Sequence, residues 1–441
     1  MFTKRKDSIL TILMIVILLL TSCDTLEIIN HTQTLFIDWA YCYGGSAVDA
    51  LYDITETDDN CYVGVGQSYS DNGDLVGNNG MFDVWVIKLR RNGDLIWSKN
   101  YGGTDNDIGK AVLQTDDGGC VVAGDTKSSN GDVSTNKGES DFWILRLDRT
   151  GELVWKVTYG GSQNEYAYDI CKAVDGNYVI TGSTESNNFN VNGFHGVWDY
   201  WVVKINALDG SLIWQKTLGG SDSDRGRSIC PTHDDGFLVA GMSSSNNHDV
   251  SGNNGENDVW LVKLDQWGDK VWDKNYGGSE NDLANSVAQT SNHGFIVGGR
   301  TFSNDIDVSG KHGNEDGWVV RTDSNGDLKW AGCYGGTNYD DIKNVIQIKN
   351  GGYAMLGYSK SEDNDLPDNY GAYDFWFTIL DEVGTVQWSQ NYGGTQTEIG
   401  SSLIESSNGD FILAGNTYSN DIEVSGNTGF SDYWILSLEL K

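Results

Sequence analysis

Carboxylates are the side chains in this chain whose type and spacing could do chemistry, because they return in three columns. Asp49, Asp107, Glu165, Asp224, Asp282, Asp340 and Glu398 each stand six residues after the Tyr or Leu that opens an x-Gly-Gly phrase. A second column runs Asp74, Asp132, Asn190, Asp249, Asp307, Asp365 and Glu423; a third runs Asp83, Asp141, Asp199, Asp258, Asp316, Asp374 and Asp432. Such groups have three uses. They accept backbone N–H bonds in Asx turns and tie loops down. They coordinate Ca²⁺, which takes oxygen ligands from carboxylates and carbonyls; loops bearing Asp74, Asp132, Asp249, Asp307 and Asp365 are the candidates, although they lack the EF-hand order. Or they form a glycosidase pair, which needs two unlike carboxylates, one with a raised pKa. Identical acids in every copy offer no such pair, so catalysis is not expected, and local capping is the expected role with Ca²⁺ as the alternative. The first column is also the candidate binding ring.

Other reactive types are scattered. His31, His195, His233, His248, His293 and His312 show no metal-ligand spacing, and Gly64-Val65-Gly66 is a strand segment, not a phosphate loop before a helix. Fourteen of the 16 Trp recur by repeat and belong to packing. Trp198 falls outside the pattern, beside Phe194 and His195, and is the candidate for stacking on a sugar or aromatic ligand. Cys171 and Cys230 share a repeat position; they are a disulfide or, as expected here, small apolar residues on buried strands.

These residues are positioned by a repeat. A Trp followed four residues later by an aromatic or Leu and Gly-Gly recurs at Trp39, Trp97, Trp155, Trp214, Trp272, Trp330 and Trp388, 58 residues apart with one spacing of 59. Such a period marks stacked supersecondary units. In the second unit, residues 110–115, 120–124, 141–147 and a run from Leu153 read as four strands, separated by Gly and Asp turns that leave no room for helix. The third strand is apolar on both faces, as a sheet covered on both sides requires. Seven such units predict an all-β, seven-bladed β-propeller over residues 35–441. Residues 35–41 form a strand with no unit before it, and the chain stops one strand short at its other end. The N-terminal strand is therefore expected to complete the last blade. The x-Gly-Gly connections and the long loops between second and third strands then share one face, with the first acid column around the mouth of the central channel.

The first 22 residues read as a secretory signal: Lys4, Arg5 and Lys6 precede an apolar run too short to span a bilayer. Leu20-Thr21-Ser22-Cys23 resembles the lipobox of bacterial lipoproteins, which implies a lipidated Cys23, a tether over residues 23–34 and attachment to a membrane of the bacterial envelope by lipid. The formal net charge of −34 repels nucleic acid.

Ile205-Asn206-Ala207-Leu208-Asp209-Gly210-Ser211-Leu212-Ile213-Trp214 is similar to the Gly-x-x-x-Trp docking repeat of quinoprotein-like propellers, and Gly93/Trp97, Gly151/Trp155, Gly268/Trp272, Gly326/Trp330 and Gly384/Trp388 keep its spacing. More closely, the chain after Cys23 resembles extracellular repeat proteins of bacteria and archaea that carry Tyr-Gly-Gly-Ser and Asp-x-Trp phrases, some called bulb-lectin-like. The mannose-binding string of true bulb lectins is absent. The resemblance to the repeat proteins implies the fold alone; the reading of the whole chain is a non-catalytic envelope lipoprotein whose acidic loop face binds a protein or glycan partner. An outer-membrane assembly scaffold is the second expectation, and a carbohydrate-active or quinoprotein-like enzyme the third.

Overall fold

The computed structural model describes residues 35–75, 77–366 and 369–440. The signal, Cys23 and the tether lie outside the described residues. Strands are numbered in chain order. After β1 (Leu35–Tyr43) comes a first blade of β2 (Asp49–Glu56), β3 (Cys61–Ser68), β4 (Asp83–Arg90) and β5 (Leu95–Tyr101), paired in that order. The second blade has β6 (Asp107–Gln114), β7 (Cys120–Thr126), β8 (Asp141–Leu147) and β9 (Leu153–Tyr159). The pattern repeats to a seventh blade of β26 (Glu398–Glu405), β27 (Phe411–Thr417) and β28 (Asp432–Leu440), where β1 supplies the outermost strand beside β28. This is a seven-bladed β-propeller of four-stranded antiparallel blades, and Ile37–Glu439 forms its compact unit. Met1–Phe36 with Leu440–Lys441 groups separately and lies almost wholly outside the described residues.

The third strand of the second blade matches the expected residues, and all seven of its residues are buried. The inner strand β6 starts earlier than its apolar pattern suggests, because the polar Asp107 enters the ladder opposite Thr126 with its carboxylate satisfied there.

Two devices hold the blades side by side. In every outer strand but that of the sixth blade, the Trp lies against the glycine of the next blade's last turn, as Trp97 against Gly151, Trp155 against Gly210 and Trp272 against Gly326. Trp97 Nε1 donates to the Arg149 carbonyl at 3.2 Å, and the Tyr101 hydroxyl donates to the Gly151 carbonyl. Each of these glycines sits at positive φ, and a Cβ there would meet the indole. The second device shapes the channel. Every inner strand carries a β-bulge at one place; in β6, Gly109 faces Gly124 and Ala111 faces Ala123, leaving Lys110 as the extra residue. Gly124 is required there, since a Cβ would run into the Ile108 carbonyl oxygen.

Candidate functional site

The three acid columns converge. Each acid of the first column is the first residue of an inner strand, as expected of residues around the channel mouth, yet all seven side chains are 0% exposed. Asp49 accepts the Gly45 N–H at 2.8 Å, the Ser70 hydroxyl at 2.9 Å and the Ser68 hydroxyl. Asp107, Asp224, Asp282 and Asp340 repeat this with Thr126 and Ser128, Ser243 and Ser245, Thr301 and Ser303, Ser359 and Ser361. Glu165 and Glu398 take Thr184 and Thr417, both at 2.7 Å. The candidate binding ring is thus enclosed, and its oxygens are engaged by the fold. The hydroxyl partners escaped sequence reading, although they stand 19 and 21 residues after each acid in every blade.

In the second column, Asp74, Asp132, Asp249, Asp307 and Asp365 each accept the first glycine N–H of their blade's x-Gly-Gly turn, at 3.1 to 3.4 Å. Among the described residues no group of His, Cys, Asp or Glu is arranged to hold a metal ion. The third column is buried beside the same turns. Burial pushes Asp83 up to about 7, helped by the charges of Asp107 and Asp132. Asp199 and Asp374 are likewise pushed up to about 7, and Asp141, Asp258 and Asp432 to about 6, in each case chiefly by burial. Each boundary between blades therefore holds a knot of mutually repelling carboxylates, tied down by backbone N–H and hydroxyl donors.

Trp198 is not an open platform. It is 8% exposed, stacks on Tyr166 at 5.6 Å and lies under the Arg225 guanidinium at 4.5 Å, so its faces are covered by its own chain. Cys171 and Cys230 are buried free thiols.

The channel wall is different. The seven extra residues of the bulges are Tyr52, Lys110, Tyr168, Arg227, Asn285, Lys343 and Ser401, and all line one cavity of about 310 Å³. Directly after them comes a ring of links between blades. Asp53 accepts the Val112 N–H at 2.8 Å, Asp169 the Ile229 N–H at 2.8 Å, and Ser228 the Val287 N–H at 3.2 Å. Ser286 accepts from Val345 at 3.2 Å, Asn344 from Leu403 at 3.3 Å, and Ser402 from Ile54 at 3.3 Å. The second blade has Ala111 at this place, which can accept nothing. Burial raises Asp53 to about 7 and Asp169 to about 6 against these bonds. The channel residues carry no repeat signal in the sequence because they differ from blade to blade. Their signal was positional: each stands three residues after a first-column acid.

No family model matches this chain. The regulatory protein FlaEY of Caulobacter vibrioides is 25% identical over 358 residues, which cover 71% of this chain but 36% of that protein. Among solved structures, the WD40 β-propeller domain of Doa1 superposes with a TM-score of 0.51 at 12% identity, covering 92% of this chain and 97% of that one. A quinohemoprotein alcohol dehydrogenase from Pseudomonas putida is similar with a TM-score of 0.42 at 11% identity, over 92% of this chain and 76% of that one. The likeness to the Doa1 domain is one of fold.

Proposed function

We propose that this chain is a non-catalytic binding or scaffolding propeller, held at a bacterial envelope by lipid on Cys23, which engages a protein or glycan partner through its loop face. One observation carries the reading. At the tip of each long loop one residue adopts a left-handed backbone. Gly73 and Gly131 fill the place in the first two blades, but Phe189, Ile306 and Ile422 fill it in the third, fifth and seventh, with φ of 54°, 58° and 58°. A bulky or β-branched residue there costs on the order of 1–3 kcal/mol. The three side chains are also 72%, 65% and 59% exposed, so packing within the fold does not compensate them. Strained apolar groups held in solvent on one face are the marks of a surface kept for a partner.

The relative from Caulobacter carries the name of a regulatory protein, which is consistent with a binding or scaffolding role. Ca²⁺ is not needed for it. The test is a triple variant, Phe189→Gly with Ile306→Gly and Ile422→Gly. It should melt higher than the parent, yet lose binding on a glycan array or in cross-linking to envelope proteins. Unchanged binding would refute the loop-face reading, and turnover of a bound glycan would refute its non-catalytic part. Separately, Cys23→Ser should abolish lipid labelling and release the chain from the membrane fraction; persistent labelling would refute the anchor.

A further inference from the structure

We infer that the central channel is a binding site for a small organic anion, one bearing a carboxylate or phosphate, clamped between Lys110 and Arg227. The site lies on the channel wall and is independent of the partner proposed for the loop tips.

The argument starts from charge. The chain has 29 Lys and Arg against 63 Asp and Glu, yet at the seven channel-facing bulge positions three residues are cationic and none is acidic. Lys343 is neutralised within the fold, its ammonium lying 2.6 Å from Asp341. Lys110 and Arg227 are not. Among the described residues neither has a carboxylate within ion-pair distance, and neither donates a side-chain hydrogen bond to the protein. Instead Lys110 Nζ lies 3.4 Å from the centre of the Tyr52 ring, and the Arg227 guanidinium 5.6 Å from that of Tyr168. The ring faces orient the two cations without supplying an acceptor.

The channel's own acids do not serve as counter-ions to these groups. Asp53 and Asp169 are turned into the wall, where they accept N–H bonds from the neighbouring blades. Burial lowers the pKa of Lys110; Asp125 and Tyr168 offset part of this, and the Arg227 charge adds a smaller lowering. Two like charges in a half-buried cavity, neither with a carboxylate of the described residues at ion-pair distance, are costly unless something else neutralises them. An oxyanion does so with charge-assisted bonds to both. Asn285, from the blade next to that of Arg227, gives its amide to Asp341, so the polar wall is ordered before a ligand arrives. The cavity of about 310 Å³ admits a small molecule, not a folded segment.

The experiment uses the full chain carrying Cys23→Ser, titrated with inorganic phosphate, glucuronate and chloride at matched ionic strength, by calorimetry and thermal melting. Phosphate or glucuronate should bind saturably and raise the melting temperature above the chloride control; which of them does so separates the phosphate from the carboxylate source. Lys110→Gln and Arg227→Gln should each weaken that binding by roughly tenfold or more, the equivalent of one charge-assisted hydrogen bond. Both variants should melt no lower than the parent without ligand, since each removes an unpaired charge. Arg149→Gln, at the exposed pair with Asp58, should leave binding unchanged. The proposal is overturned if neither anion exceeds chloride, or if binding survives in both channel variants. Loss of binding in Arg149→Gln as well would equally overturn it, by showing a general charge effect.

Discussion

At the blade boundaries one arrangement recurs seven times, an acid held by a glycine N–H and by a Ser or Thr hydroxyl, which in the five Asp copies is joined by a second, from Ser. Three residues further along the same strands, on the channel wall, no two neighbouring blades agree. The difference follows from what each place faces. A boundary residue meets the same neighbour seven times, so one solution serves every copy. A channel residue shares a single space with six others, where identical side chains would stack like charges or leave the cavity featureless. In this repeat protein the recurring residues build the ring, and the residues that break the recurrence hold its individuality.

The comparison breaks most visibly at the rim. Trp39 is 7% exposed, lies against Gly93 and donates to the Arg91 carbonyl at 3.0 Å, tying the last blade to the first. Trp39→Ala should cost on the order of 3–5 kcal/mol in chemical denaturation. Deleting residues 35–41 should unpair β28 and cause aggregation. A deletion variant as soluble and heat-resistant as the parent would mean that the ends are not joined.

A single boundary acid comes next. Asp224→Ala removes the acceptor shared by Gly220, Ser243 and Ser245 and should cost about 1–3 kcal/mol. Anion binding in the channel should be unaffected. A loss of binding with no loss of stability would reverse the roles assigned to the two regions.

The pH dependence sharpens the same contrast. Asp83, Asp199 and Asp374 titrate in the fold at about 7, and Asp141, Asp258 and Asp432 at about 6, against 3.8 ordinarily. The folded state thus keeps protons that the unfolded chain has already released. Their stabilising contribution is full below the ordinary value and is lost as pH rises through about 6 to 7. Asp59, Asp117, Asp175 and Asp234 are held below the usual value and act oppositely, but only in more acidic solution. The melting temperature at pH 5 should therefore exceed that at pH 8 by several degrees. High salt should leave much of this difference, because screening removes long-range repulsion and not the burial of these groups. A curve that rises from pH 5 to 8 would mean that these acids are ionised in the fold.

The smallest effect is expected from divalent cations. With the first- and second-column carboxylates engaged as acceptors and the third column buried, millimolar Ca²⁺ and Mg²⁺ should raise the melting temperature slightly and alike over EDTA at matched ionic strength. A specific site would stabilise by about 2.7 kcal/mol at a hundred times its Kd. A large rise with Ca²⁺ alone, lost in Asp307→Asn, would make the loops metal sites.

The fold was legible because its determinants recur: Trp, glycine and acid return at one spacing, and chance does not produce seven copies. The boundary role of Asp49 and its equivalents was legible for the same reason, although not their enclosure, which depends on the Ser70 and Ser128 class of partners that only folding brings near. Lys110 and Arg227 were not legible as a pair. They lie two blades apart, differ in type, and stand in bulges whose facing glycines, Gly124 and Gly241 in the adjacent strands, look like any other strand glycine. The misreading of Trp198 has a related origin. Its place outside the repeat suggested a free ring, but Tyr166 and Arg225 cover it.

Ring closure carries a kinetic consequence. Six blades are built from strands adjacent in sequence and can form as soon as each unit is made. The seventh joins the first described strand to the last, across nearly the whole chain, so its pairing has the largest loop-closure entropy in the molecule. Until then β28 offers an open edge, and β1 from a second molecule fits it as well as its own. Refolding at high protein concentration will therefore divert chains into exchanged rings, in which each copy lends its first strand to another.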